Sequence, residues 1–227
     1  MFLSKVVKIF PVTFLEKEIK EENWNETWEK NFQPIVIGND IAVRASFHPS
    51  FPDVKYEIVI DPKMSFGTGH HASTSMMMQL MLGEELKGKS VLDFGCGTGI
   101  LTILAAGLGA ERVTALDNDP WAIENATENL LLNHSNIAEV VPGEIQHLES
   151  LKFDVILANI SREVIIENSD EIAGRLYNDG TLIISGFLKE DKRKLLPALK
   201  NCGFDITREM NNEEWVAISL KKNAPDH

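Results

Sequence analysis

Hydrophobic residues in the second half of the chain form short unbroken runs, and these runs alternate with segments of helical spacing. Short apolar runs are typical of strands buried on both faces, and the segments between them are typical of amphipathic helices. The alternation predicts βαβ units, and therefore an α/β fold with a mostly parallel sheet. The predicted strands cover 90–93, 112–117, 138–141, 153–159 and 181–185, and the predicted helices cover 98–108, 120–132, 162–175 and 189–201.

The regions that flank this core follow other patterns. Two strand-like runs, 204–210 and 215–220, are separated by a polar stretch and predict a C-terminal hairpin. The hairpin would complete a Rossmann-like, seven-stranded sheet with one antiparallel edge strand, which mixed sheets tolerate. Before the core, 58–60 predicts a strand and 72–86 a helix, while 178–180 predicts a turn ahead of the fifth strand.

Composition narrows the class of protein. The 227 residues suit one α/β domain with a short leader, and 44% hydrophobic residues spread along the chain argue against a membrane span. Cys96 and Cys202 are the two cysteines, so we expect no disulfide framework. The net charge of −12 argues against a nucleic-acid binder and suits a basic partner, although solubility explains the charge more simply. The first ten residues lack a signal-peptide pattern, so we expect a cytoplasmic protein.

A glycine-rich loop follows the first predicted strand and opens a helix, which is the setting of a nucleotide-binding loop. Its glycines, Gly95, Gly97 and Gly99, follow the spacing G-x-G-x-G, unlike the G-x-G-x-x-G that seats a pyrophosphate. Asp93, at the strand end, would repel a pyrophosphate and favour a ligand that carries an ammonium and a sulfonium. This charge pattern indicates S-adenosyl-L-methionine. Taken alone, the glycines also fit a turn needed only for packing.

Two further strand ends carry candidate site residues. Asp117 lies 22 residues after Gly95, near the ~20-residue offset at which a carboxylate meets ribose hydroxyls. Asp119 competes for this role, but its place before Pro120 suits a helix N-cap better. Asn159 ends the fourth strand, where its oxygen would accept a hydrogen bond from a substrate nitrogen and aim its lone pair. A capping role at the strand-to-helix turn is the alternative for Asn159.

The ordered set of motifs resembles the PrmA family, whose members methylate amino groups of a protein of the large ribosomal subunit. The resemblance runs from Glu21 to the C-terminus. It implies S-adenosyl-L-methionine as cofactor, S-adenosyl-L-homocysteine as product, and Asn159 as the catalytic residue. The motifs are Trp24, Trp28, Phe32–Pro34, Asp61–Pro62, Phe66–Gly69, His71, Thr74, Asp93–Gly99, Asp117–Pro120, Ala158–Ile160 and Trp215.

The resemblance also assigns cofactor contacts around the glycine-rich loop. They fall on Phe66, Gly67, Thr68, Gly69, Thr74 and Asn118. The chain reads His70-His-Ala-Ser-Thr74 where the family usually has Thr-His-Pro-Thr-Thr, so the stiffness of this loop differs from the family pattern. Adjacent histidines seldom face one ion and no third ligand is visible, so we expect no metal site.

The family's usual organisation implies how this chain is divided. We expect a remnant of the N-terminal substrate-binding domain over 1–20, a linker helix and extended connector over 21–52, the methyltransferase domain over 53–223 and a disordered tail over 224–227. Trp24 and Trp28 suit packing in a connector helix at 22–30. In this interpretation most of the substrate-recognition domain is missing.

The expected partner is a basic ribosomal protein, without direct nucleic-acid or membrane contact, and we expect a monomer. Three alternatives remain at this stage. The chain could methylate another protein, a small amine or RNA. It could bind S-adenosyl-L-methionine without catalysis. It could also be a dehydrogenase, which a change in nicotinamide fluorescence on mixing would reveal.

Overall fold

The structure is a computed structural model that describes residues 33–61, 63, 65–148 and 150–224. The described residues lie in a compact unit that begins at Gln33. The predicted domain remnant, the connector helix and residues 225–227 of the tail lie outside the described residues.

Ten strands and six α-helices make up the described part of the chain. The strands are β1 (Ile35–Ile37), β2 (Ile41–Arg44), β3 (Tyr56–Val59), β4 (Ser90–Phe94), β5 (Arg112–Asp117), β6 (Ala138–Pro142), β7 (Phe153–Asn159), β8 (Leu176–Leu188), β9 (Phe204–Asn212) and β10 (Trp215–Lys222). The helices are α1 (Ala72–Leu82), α2 (Ile100–Gly107), α3 (Pro120–Leu132), α4 (Arg162–Glu167), α5 (Ser169–Arg175) and α6 (Lys192–Asn201). Two 3₁₀ turns lie at Ile145–His147 and Lys189–Asp191.

The central sheet has seven strands in the order β6-β5-β4-β7-β8-β10-β9. The first five of these are parallel, and β10 runs antiparallel to both β8 and β9. The predicted α/β, Rossmann-like sheet is confirmed. The antiparallel strand, however, lies one position inside the edge, because β10 inserts between β8 and β9 and leaves β9 as the edge strand.

Helices cover both faces of this sheet. Along β7 the side chains of Val155 and Leu157 join one apolar cluster with α1 and α2, while Ile156 joins a second cluster with α4, α5 and α6. Successive residues of a strand point to opposite faces, so a strand covered on both sides is apolar throughout. This burial explains why the central strands are the most visible elements of the sequence.

A separate three-stranded sheet packs beside the first cluster, in the order β1-β2-β3. β1 and β2 lie in the stretch predicted as an extended connector, and the boundary expected at residue 53 falls between β2 and β3, which pair in parallel. Strands of three and four residues carry too little periodicity to distinguish them from a connector. Their apolar side chains Ile37, Ile41 and Val43 are nevertheless buried.

Three predicted elements differ most from the structure, either in where they begin or end or in whether they are continuous. α1 ends at Leu82 instead of residue 86, because Gly83 closes the helix with its N–H on the Leu80 carbonyl. The predicted helix 162–175 breaks at Asn168, whose side-chain amide donates to the carbonyl of Val164. β8 begins at Leu176 and includes the predicted turn 178–180, where its register with β7 shifts.

Candidate active site

A cavity of about 870 Å³ opens at the carboxyl ends of the parallel strands. β4 lies between β5 and β7, so the chain order reverses there, and ligands of open α/β sheets bind at such switch points. The lining residues are Ser65, Phe66, His71, Ser73, Phe94, Gly95, Gly97, Asp117, Asn118, Asp119, Ala122, Gly143, Glu144, Gln146, Asn159, Ile160, Ser161, Val164, Glu167, Asn168, Gly186 and Trp215.

The glycine loop, residues 95–99, forms the floor of the cavity between β4 and α2. Gly97 has a φ of 54°, and a Cβ atom there would lie 2.3 Å from the carbonyl oxygen of Phe66. The backbone N–H of Thr98 donates to that same carbonyl at 2.9 Å, and the Thr98 hydroxyl donates to the carbonyl of Gly67. The two predicted motifs are therefore joined through their backbones, and only glycine permits the contact at position 97.

The predicted site residues divide into those that line the cavity and those that do not. Phe66, Gly95, Gly97, Asp117, Asn118 and Asn159 line it, while Gly67, Thr68, Gly69, Thr74, Asp93 and Gly99 do not. Thr68 Oγ1 is 3.1 Å from Nδ1 of His70, and Gly99 is the N-cap of α2. Direct cofactor contacts by the second group stay predictions, and the geometry gives these residues supporting contacts.

Asp93 belongs to that second group. Its side chain is buried, and one oxygen, Oδ2, accepts hydrogen bonds from the backbone N–H of Thr102 at 3.1 Å and the Thr102 hydroxyl at 2.7 Å. The other oxygen has no partner among the described residues. Burial raises the pKa of Asp93 to about 7, against the hydrogen bonds from Thr102. The carboxylate therefore holds the first turn of α2 beneath the glycine loop.

Asp117 faces the cavity with its carboxylate held in place. One oxygen accepts from the backbone N–H of Gly97 at 2.9 Å, and the other accepts from the N–H of Asp119 at 3.0 Å. The predicted N-cap is confirmed at Asp119, whose Oδ1 accepts from the N–H of Trp121 at 3.0 Å. Asp119 also lines the cavity, a role that capping does not exclude.

The cavity wall is acidic. Asp117, Asp119, Glu144 and Glu167 contribute to it, and the described residues that line it include neither lysine nor arginine. A pyrophosphate would meet repulsion from these carboxylates, whereas an ammonium or sulfonium would be attracted. The charge of the whole cavity therefore favours the class of ligand that Asp93 alone had suggested.

Asn159 lies at the carboxyl end of β7, opposite the glycine loop. Its Nδ2 donates to the hydroxyl of Thr74 at 3.1 Å, and its Oδ1 is buried without a partner among the described residues. The helix that follows is capped by Ser161, which accepts from the N–H of Val164. The capping alternative for Asn159 is therefore wrong: the residue lines the cavity, and its Oδ1 is an acceptor that no described residue uses.

An aromatic cluster forms one wall. The ring centroids of Phe66 and His71 are 5.3 Å apart, and those of His71 and Trp215 are 4.4 Å apart, both in edge-to-face contact. His71 Nδ1 lies 3.2 Å from the N–H of Ser73 and 2.7 Å from its hydroxyl. Because Nδ1 accepts, a neutral ring carries its proton on Nε2 and offers a donor there. In the sequence, His71 and Trp215 belong to the motifs shared with the family, and no role was predicted for either residue.

Other lining residues were missed altogether. Glu144 and Gln146 follow β6, Glu167 and Asn168 lie at the end of α4, and Gly186 lies in β8. A Cβ atom at Gly186 would lie 2.5 Å from the carbonyl oxygen of Ile160, so the two strand ends approach closely. Gly143 and Glu144 come just after the predicted strand 138–141, and this position at a strand end was the available signal for Glu144. The residues of α4 carried none.

Two further features, a metal-binding group and a membrane-spanning helix, are absent from the described part of the chain. No group of three or more histidine, cysteine, aspartate or glutamate residues is placed to hold a metal ion among the described residues. No helix within these residues has the length and apolar character needed to cross a membrane.

Comparison with known proteins gives consistent matches. A family model described as ribosomal protein L11 methyltransferase (PrmA) matches residues 4–223. A ribosomal protein L11 methyltransferase from Porphyromonas gingivalis is 44% identical over 209 residues, which cover 89% of this chain and 71% of that protein. One from Phocaeicola vulgatus is 40% identical over 225 residues, with 96% and 80% covered. The crystal structure of a ribosomal protein L11 methylase from Lactobacillus delbrueckii subsp. bulgaricus superposes with a TM-score of 0.78 at 28% identity, covering 85% of this chain and 100% of that one.

Proposed function

Because the chain belongs to the PrmA family of ribosomal protein L11 methyltransferases, we propose that it transfers methyl groups from S-adenosyl-L-methionine to amino groups of ribosomal protein L11. The observation that carries the proposal is the acidic cavity at the switch point, with Asn159, whose Oδ1 has no partner among the described residues, in its lining. The net charge of the whole chain, −12, also suits a basic substrate protein.

The residues of the cavity fit the cofactor on several counts. Gly95 and Gly97 line the cavity, and we assign the Asp117 carboxylate, which accepts from the N–H of Gly97, to the ribose hydroxyls. Asp119 and Glu144 add negative charge, which suits a cationic adenosyl compound. S-adenosyl-L-methionine supplies a methyl group on a positively charged sulfur, where an amine can attack. The contacts of Phe66 and Asn118 complete the proposed binding set.

Asn159 is the proposed catalytic residue. Its Oδ1 accepts a hydrogen bond from the substrate amine and so directs the nitrogen lone pair, while the bond to Thr74 fixes the orientation of the amide. Holding the nucleophile in this geometry replaces a bimolecular encounter with an oriented one. Because Oδ1 is already desolvated, its interaction with an N–H is stronger than it would be in water.

The amine must lose a proton before it attacks, because a lysine side chain has a reference pKa of ~10.4. The basic nitrogen of a neutral His71, Nδ1, is engaged by Ser73, and its Nε2 carries a proton, so we assign no base role to this ring. Desolvation against the apolar surfaces of Phe66 and Trp215 disfavours the charged ammonium, and the pKa of a bound amine falls where this effect exceeds the attraction of the cavity carboxylates. Water then accepts the proton, and positioning supplies most of the acceleration.

The test uses the purified chain, radiolabelled S-adenosyl-L-methionine and purified ribosomal protein L11. We expect label in the ribosomal protein, recovered as methylated lysine or a methylated N-terminal residue after hydrolysis. Calorimetry with S-adenosyl-L-homocysteine is run in parallel. The transfer assay is run with the chain alone and with a version extended by a family N-terminal domain. If both bind S-adenosyl-L-homocysteine but neither transfers label to the ribosomal protein, the substrate assignment fails. Absence of binding would remove the cofactor assignment.

A further inference from the structure

Two asparagines on α3 and a third at its C-cap bind the segment that follows β3. We call Asn125, Asn129 and Asn133 the asparagine ladder, because they occur at every fourth position of the helix. Asn133 Oδ1 accepts from the N–H of Val59 at 2.8 Å, and its Nδ2 donates to the Val59 carbonyl at 2.6 Å. Its contacts therefore lie at the start of the segment, at the end of β3.

The other two members bind the chain further along. Asn129 Oδ1 accepts from the N–H of Asp61 at 3.0 Å. Asn125 Oδ1 accepts from the N–H of Lys63 at 3.4 Å, and its Nδ2 donates to the carbonyl of Asp61 at 2.9 Å. Both asparagines are buried, which is unusual for this side chain unless its hydrogen bonds are satisfied.

The spacing explains why side chains can act as a neighbouring strand. Four residues of an α-helix rise about 6 Å, and two residues of a strand rise about 6.6 Å. Amides at every fourth helix position therefore match alternate residues of an extended segment. The ladder hydrogen-bonds Val59, Asp61 and Lys63, at and beyond the last residue of β3, and Phe66 lies three positions after Lys63.

Asn129 has one additional contact that Asn133 lacks. Its Nδ2 donates to the carbonyl of Thr98, in the glycine loop, at 2.9 Å. The N–H of Thr98 is bound to the carbonyl of Phe66. Thr98 is thus held at its carbonyl by Asn129 and at its amide by Phe66, so a single buried side chain ties the segment, the helix and the glycine loop together.

We propose that Asn129 is a positioning residue for the cofactor, because it sets the orientation of the glycine loop through the Thr98 carbonyl and the Asp61 amide. The inference rests on the proposed function, since it assumes that S-adenosyl-L-methionine binds on this loop. Asn129 does not line the cavity, so it acts through Thr98 and the adjoining Gly97.

The experiment compares Asn129→Ala with Asn133→Ala, which removes hydrogen bonds to Val59 from the same helix but none to the glycine loop. Calorimetry with S-adenosyl-L-homocysteine is run well below the melting temperature of each variant. Asn129→Ala removes two buried hydrogen bonds, to the Asp61 N–H and to the Thr98 carbonyl, and we expect the freed glycine loop to weaken affinity by about tenfold, whereas Asn133→Ala keeps an affinity near that of the unsubstituted chain. Asn129→Ser, which keeps a hydroxyl able to bond within α3, replaces the alanine variant if that one does not fold.

Hydrogen exchange of the ligand-free protein supplies a second readout. We expect faster exchange at the Thr98 amide in Asn129→Ala than in Asn133→Ala, since the first variant frees the loop. Unchanged affinity in Asn129→Ala, or equal weakening in both variants, would overturn the inference. If the unsubstituted chain does not bind the ligand, the proposed function fails, and unchanged exchange at Thr98 would then also show that Asn129 does not order the loop.

Discussion

The Nδ2 atom of Asn159 donates to the hydroxyl of Thr74 across 3.1 Å, which joins the carboxyl end of β7 to the first turn of α1. Thr74 is fully buried and does not line the cavity. With the amide nitrogen engaged by Thr74, the oxygen of Asn159 is the end that the proposed mechanism assigns to the substrate amine.

Replacing Thr74 by valine tests that relationship. The isosteric side chain removes the hydroxyl and frees the amide of Asn159 to rotate, and misplacement of a positioning group lowers kcat by about 10- to 100-fold. We expect the affinity for S-adenosyl-L-homocysteine to change little. Asn159→Ala, measured alongside by single-turnover kinetics, sets the loss for complete removal. A Thr74→Val enzyme with the kcat of the unsubstituted chain would contradict the assigned orientation.

Substitution of Asp117 by alanine tests the ribose contact. A hydrogen bond to a charged group contributes about 1.5 to 3 kcal/mol, so the Kd for S-adenosyl-L-homocysteine is expected to rise about 10- to 100-fold. Asp205→Ala is a control of equal charge change, since this exposed residue binds the Asn223 side chain. Calorimetry on both variants separates a specific contact from the loss of one negative charge. Equal affinities would reject Asp117 as the ribose ligand.

Gly97→Ala tests the contact between the glycine loop and Phe66. The new Cβ atom would lie 2.3 Å from the Phe66 carbonyl oxygen, and the backbone also has a positive φ. We expect a loss of about 2 to 4 kcal/mol in the free energy of unfolding, together with loss of cofactor binding. Gly88→Ala is the matched control, because its φ is +71° but nothing lies within 4 Å of the added atom.

That control isolates the cost of the backbone conformation, which is about 1 to 2 kcal/mol. Urea unfolding gives both values. If Gly97→Ala costs no more than Gly88→Ala, the close packing of the two motifs is not a constraint on position 97.

The buried carboxylate of Asp93 predicts a pH dependence of stability. Burial raises its pKa in the folded protein from the ordinary 3.8 to about 7. Between these values the folded protein holds a proton that the unfolded chain releases, so this group's contribution to stability is full below pH 3.8 and declines as pH rises toward 7. Asp93→Asn removes the titration and keeps an acceptor for Thr102.

The measurement is urea unfolding of both proteins at pH 5 and pH 7.5, values that lie within and above the window. We expect the unsubstituted chain to lose stability relative to Asp93→Asn over this range. A constant difference between the two proteins would show that Asp93 does not change protonation there.

Part of the site could be anticipated because strand ends are visible in sequence. Asp117 and Asn159 each follow a buried apolar run, and the carboxyl ends of parallel strands meet at one edge of a sheet. Glu167 and Asn168 could not be found in this way, because α4 reaches the cavity only after it packs on the other face of the sheet. No local pattern of charge or spacing predicts that the end of α4 lies at the cavity.

The orientation of side chains was also beyond the sequence. Asp93 lies one residue before the end of β4, and Asp117 is the last residue of β5, yet Thr102, in the first turn of α2, binds the Asp93 carboxylate beneath the loop. His71 and Trp215 are 144 positions apart, and only the insertion of β10 beside β8 brings their rings together. Contacts between such distant residues depend on strand order, which hydrophobic periodicity does not specify.

The order of strands and helices from β4 onward, the glycine loop and the polar residues at the strand tips were determined by the sequence alone, because burial on both faces and tight turns impose local patterns. Tertiary structure decided which of those residues face the cavity, how the asparagine ladder holds Val59, Asp61 and Lys63, and where the aromatic wall forms. These features arise from packing between elements far apart in the chain, and the free energy of such packing depends on three-dimensional proximity that no local pattern encodes.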